Sequence, residues 1–129
     1  MSDSLRGPLD FAVDAAWQAG KVTLRYFQTE IQTERKEDLT PVTIADREAE
    51  ATIRQLLASA YPQDGILGEE FGSEDGTSGF RWIIDPIDGT KSFVQGVPLY
   101  GVLIAREGPQ GVDIGCVYMP ALDEMVWAA

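Results

Sequence analysis

The sequence contains no histidine and a single cysteine, Cys116. The first absence excludes a Ser-His-Asp triad, a histidine phosphatase and any His-ligated zinc site. The second excludes an intrachain disulfide and suits a reducing cytoplasm. Cys116 sits in the strand-like run GVDIGCVYM and reads as a small buried hydrophobe rather than a nucleophile. Positive charge is scarce: 10 Lys and Arg stand against 21 Asp and Glu, for a net charge of −11. Such a surface is a poor match for DNA or RNA. No apolar run approaches the length of a membrane span. The opening MSDSLRGPLD has neither the basic flank nor the apolar core of a signal peptide. The expectation is a cytoplasmic protein with no membrane and no nucleic-acid partner. Its chemistry must run on carboxylates, hydroxyls, lysine, backbone and metal.

What is present fits one domain over residues 1–129, with 44% hydrophobic residues to build its core. Pro8 to Phe27 reads as a helix, with Leu9, Val13, Ala16, Gly20, Leu24 and Phe27 on one face and Pro8 in the first turn. The polar stretch up to Pro41 reads as loop or extended chain. A second helix follows, in which Thr43 and Asp46 resemble a capping box and Ala45, Ala49, Ile53, Leu56 and Ala60 continue one face. The second half reads as strands: GILGEE, a short apolar run ending in two acids, then FRWIID, LYGVLIAREG, GVDIGCVYM and EMVWAA, with FGSEDGTSG as an acidic loop and GPQG as a hairpin turn. The fold class is therefore α+β, with two N-terminal helices packed on a mainly antiparallel sheet. EMVWAA reads as an edge strand that invites pairing with another chain, and Trp127 within it needs a partner.

Chemistry concentrates in RWIIDPIDGTKSF. The apolar run leads to Asp85, which Pro86 keeps in extended conformation. That places its carboxylate at the carboxyl end of a strand, a frequent position for ligands. Asp88 follows in a turn that brings it back towards Asp85. Gly89 permits close backbone approach, and the residues from Gly89 to Ser92 open a short helical turn whose N–H groups suit an anion. ILGEE repeats the theme, with Glu69 at the end of another short apolar run. If the two strands are neighbours, Glu69, Asp85 and Asp88 converge on a hard cation, with magnesium favoured because it takes a few carboxylates plus phosphate oxygens. Blander alternatives stand beside each residue. Asp-Gly is a common turn, Asp46 can be a helix cap, Glu70 a surface acid, and Lys36 in ERKED a solvated charge.

TPVTIADREAE, ILGEE and WIIDPIDGTKSF, in that order along the chain, resemble the inositol monophosphatase family of magnesium-dependent phosphomonoesterases. ERKEDLTPVTIADREAE and GTKSFVQGVPLYGVLIA are most similar to the histidinol-phosphate phosphatases within it. The resemblance implies a layered sandwich of the sugar-phosphatase type and two or three magnesium ions. It implies that Glu69, Asp85 and the backbone carbonyl of Ile87 hold one ion, with Asp85 bridging to a second held by Asp88. It implies that Gly89 and Thr90 give N–H groups to the phosphate, that Thr90 and Asp46 orient and deprotonate the attacking water, and that Lys36 borders the phosphate. The substrate implied is L-histidinol phosphate, or else inositol 1-phosphate or a related sugar or nucleotide phosphate. A homodimer is the assembly implied. The family also carries a Trp-Asp segment that completes the second metal site. Here Trp127 is followed by Ala128, so the chain is expected to correspond to the amino-terminal half. A non-catalytic metal- and phosphate-binding fragment is the remaining alternative.

Overall fold

The structure is a computed structural model that describes residues 3–29 and 41–129. Two long helices, α1 (Asp3–Leu24) and α2 (Pro41–Ala60), precede the strands β1 (Gly65–Gly68), β2 (Gly72–Glu74) and β3 (Arg81–Asp88). A short helix α3 (Thr90–Gln95) leads into β4 (Gly101–Gly108), β5 (Gly111–Met119) and β6 (Glu124–Ala128). The six strands form one sheet in the order β2-β1-β3-β4-β5-β6. Only β1 and β3 run parallel; every other neighbouring pair is antiparallel. Helices on one side of a mixed sheet make this the expected α+β class.

One sheet face carries Ile66, Trp82, Ile84, Val102, Ile104 and Ile114, all buried against the two long helices. The helices reach it on small residues: Ala12, Ala15, Ala16 and Ala19 of α1 and Ala49 of α2 are fully buried. Alternate strand residues point to the other face, so Ile83, Leu103, Ala105, Val117 and Val126 line a shallow apolar groove of about 380 Å³ there. Val126 and Trp127 on β6 are more than half exposed, at 66% and 51%. Trp127 therefore has the edge position expected for it but lies outside the core.

Four local expectations need correction. Helix α1 starts at Asp3 rather than Pro8, so the proline lies inside the helix. It is close enough to the start that only one early backbone bond is lost. Helix α2 starts at Pro41, which puts Thr43 in the first turn and Asp46 in the second. Asp46 is therefore a helix-interior residue and the capping reading fails. Residues Gly72 to Glu74 are not loop but the edge strand β2, paired to β1. Strand β3 does not stop at Asp85 but runs through Pro86 to Asp88, with a register irregularity between Asp85 and Asp88. Edge-compatible proline and a bulge go together, because proline cannot donate to the ladder.

Candidate active site

The parallel pairing of β1 with β3 sets Ile66 beside Trp82 and Gly68 beside Ile84. The next residue along each is an acid, so Glu69, just past the end of β1, and Asp85, within β3, lie side by side. That is the neighbour relationship the sequence left conditional. Asp88 closes β3 opposite Gly101 of β4, after the irregularity that re-aims the chain. Asp46 comes from α2, which packs over β3.

Asp85 is half-buried and one of its oxygens, Oδ1, is fully buried with no hydrogen-bond partner. Burial raises its pKa to about 6; the carboxylates of Glu69, Asp88 and Glu50 push the same way, and the Ile87 N–H works against them. Asp46 is raised further, to about 7, by burial and then by Glu70, Asp85, Glu69 and Glu50. Each of these groups resists ionisation first because it is buried and then because its neighbours share its sign. Among the described residues no three of the acids close into a ready-made ion cage. They share a negative field around an orphaned carboxylate oxygen. A buried acceptor without a donor is costly, and a cation is what both the oxygen and the field lack. The residues present therefore fit a bound metal.

Ile87 buries its side chain with Ala45, Phe93 and Tyr100. Only its backbone is left to face the acids. Gly89 caps α3 with φ 95° and ψ 44°, and no side chain caps the helix start. A Cβ at Gly89 would lie 3.1 Å from the Leu99 carbonyl and 3.3 Å from Cα of Tyr100. Both the left-handed backbone and the crowding demand glycine. Thr90, the first residue of α3, is exposed. The short helix foreseen after the second aspartate is thus present, with its first amides next to the acids. Lys36 lies outside the described residues. Glu70 is less exposed than expected and approaches Arg47 at 4.0 Å.

One residue was missed. Glu50 is fully buried on α2, and its carboxylate binds the backbone of the turn that follows Glu69. The signal available was an acid on the apolar face of a helix, next to Ala49 and with Arg54 four residues on. A groove of about 690 Å³ elsewhere, between α1 and the β5–β6 turn, is lined by Leu9, Val13, Trp17, Met125 and Trp127 and includes none of the four acids. Cys116 is buried as expected; burial lifts its thiol to about 11, which removes it from nucleophilic chemistry.

Known proteins resemble the chain along nearly its whole length. The chain is 50% identical to a histidinol-phosphatase of Chlorobaculum parvum over 93% of its own length and 47% of the relative's. It is 45% identical to a histidinol-phosphatase of Mycobacterium tuberculosis over 94% of this chain and 47% of that one. An inositol monophosphatase structure from Zymomonas mobilis superposes with a TM-score of 0.86 at 30% identity, covering 99% of this chain and 49% of that one. The chain thus spans about half the length of the relatives it matches. With the model of the inositol monophosphatase family matching residues 5–129, the chain belongs to the inositol monophosphatase family.

Proposed function

We propose that this chain supplies the metal- and phosphate-binding part of a magnesium-dependent phosphomonoesterase that hydrolyses L-histidinol phosphate to L-histidinol and phosphate. The observation that carries the reading is the orphaned, buried Oδ1 of Asp85 among acids that raise its pKa. Glu69, Asp85, Asp88 and the carbonyl of Ile87 are the groups that would hold the ions, two or three in number. Bound magnesium would neutralise the phosphate and acidify water. The amides of Gly89 and Thr90 would hold the phosphate oxygens, since no side chain occupies the start of α3. Asp46, with its pKa about 7, is poised to accept a proton near neutral pH, and the Thr90 hydroxyl would orient the attacking water beside it. Such hydrolysis is positioning and electrostatics, so a chain without histidine can carry it.

The substrate rests on the two histidinol-phosphatases, which are more similar to this chain than the inositol monophosphatase whose structure it shares. That structural relative supports a second reading, inositol 1-phosphate. We place the protein in the cytoplasm, with a small phosphorylated metabolite as its partner and a homodimer as its assembly. No helix among the described residues is long and apolar enough to cross a membrane. Phosphate release from histidinol phosphate and from inositol 1-phosphate, with magnesium and with chelator, tests the proposal. Magnesium-dependent release, faster from histidinol phosphate, is expected. Preference for inositol 1-phosphate would overturn the substrate. No release from either by this 129-residue chain would make it a binding fragment rather than an enzyme.

A further inference from the structure

Helix α2 presents Asp46, Glu50 and Arg54 at successive four-residue steps, one above the other on one face. Glu50 is 0% exposed. Its Oε1 accepts the Glu70 N–H at 3.0 Å, and its Oε2 accepts the Phe71 N–H at 3.1 Å. Oε2 also accepts from Nε of Arg54 at 2.9 Å. The same guanidinium donates through Nη2 to the Gly72 carbonyl. Every backbone group held by this pair belongs to residues 70–72, the rest of the 69–71 turn and the first residue of β2. From the strand side, Gly68 closes the contact: a methyl group there would fall on the Glu50 carboxylate. Glu69 is thus bracketed by a residue packed on Glu50 and two amides bonded to it.

Stability alone gives no reason for this arrangement. A desolvated ion pair replaced by apolar residues of similar volume is often no less stable. What an apolar side chain cannot do is accept two particular backbone N–H groups and so fix where a turn begins. We propose that Glu50 is a positioning residue: through the 69–71 turn it holds the Glu69 carboxylate beside Asp85. The inference rests on Glu69 and Asp85 being metal ligands. It makes α2 a single rigid bar that carries Asp46 and sets Glu69, so both acids keep their place relative to β3.

The test is a double-mutant cycle read with Mn²⁺ alone as the probe, following free Mn²⁺ by electron paramagnetic resonance. Glu50→Gln keeps the size of the side chain but loses the charge that accepts three donors. Its Mn²⁺ affinity is expected to fall about tenfold or more, as for other groups that orient a ligand. In a Glu69→Gln background the same change is expected to add nothing, because there is no ligand left to position. Amide exchange of Glu70 and Phe71 should speed up while that of β3 does not. Equal losses with and without Glu69 would overturn the proposal, since a general loosening acts on both backgrounds alike. Gly68→Ala displaces the Glu50 carboxylate while leaving its charge in the protein, and the same selective loss is expected; full Mn²⁺ affinity in that variant would also overturn it. If the unaltered chain takes up no Mn²⁺, the metal reading fails. Faster Glu70 and Phe71 exchange in Glu50→Gln would then still uphold the clamp, and unchanged exchange would overturn it.

Discussion

The hydroxyls of Thr23 and Tyr100 lie 2.8 Å apart in the interior, joining α1 to the segment that enters β4. Thr23 also donates to the Gly20 carbonyl at 2.7 Å, so the proton between the two hydroxyls belongs to Tyr100. Tyr100 in turn packs its ring edge-on to Phe93 of α3 at 4.9 Å and lies against Gly89. The turn that opens α3 is therefore backed by a side chain anchored to α1.

The two halves of that bond should not cost the same. Tyr100→Phe removes the donor and leaves the Thr23 hydroxyl still bonded to Gly20, for a loss of about 1 kcal/mol. Thr23→Val strands the Tyr100 hydroxyl in the core, for about 1–3 kcal/mol. Urea unfolding of the two variants is expected to give that order, with the threonine variant less stable.

Gly89→Ala should act on both stability and ligand. Its φ of 95° disfavours any Cβ, and the Leu99 carbonyl stands 3.1 Å from where one would be. The strain is expected to cost about 1–3 kcal/mol. The neighbouring amides would shift with it, so inorganic phosphate should protect the variant less against thermal unfolding than it protects the unaltered chain in magnesium.

Asp85→Asn separates two effects of opposite sign. Without metal the carboxylate is held against burial and against Glu69 and Asp88, so its removal is expected to raise the melting temperature at pH 7.5. With saturating magnesium the unaltered chain gains binding energy that the variant lacks. The order of the two melting temperatures should therefore reverse on adding magnesium. Two unchanged temperatures would identify Asp85 as a solvated turn acid.

How much of this was written in the sequence depends on the range of the contacts. Asp85, Asp88 and Gly89 share one stretch, so a strand leading into a turn and a short helix was enough to group them. Glu69 needed the parallel pairing of β1 with β3, which local pattern does not specify. β2 was missed because Gly72, Ser73 and Glu74 are all exposed and show no alternation; only pairing to β1 makes them a strand. Asp46 looked like a cap because Thr43 preceded it, whereas helix α2 had already begun at Pro41. The partners of Glu50 were out of reach for a different reason. The amides it binds lie 20 and 21 residues further on, and the turn that offers them exists only once β1 and β2 have paired.

Ionisation of the site gives the last prediction a definite sign. Asp46 and Asp85 have pKa values raised to about 7 and about 6 in the folded chain, against an ordinary value of 3.8. Between those limits the folded state holds protons that the unfolded state has released. Stability then falls with rising pH, because its slope follows the protons bound in the unfolded state minus those bound in the native one. The favourable contribution is complete below pH 4 and is lost as pH rises through 6 and 7. Both side chains are partly exposed, so solvent screening reduces the effect to about 1–2 kcal/mol in total. Metal-free protein in chelator is expected to melt higher at pH 5 than at pH 8. Magnesium binds the ionised acids and so should stabilise more at pH 8 than at pH 5, narrowing or inverting the difference. The measurement is thermal unfolding across that range with and without magnesium. A metal-free melting temperature that climbs from pH 5 to pH 8 would mean that these acids find cationic or hydrogen-bonding partners in solution, and that the site is not the anionic cluster described above.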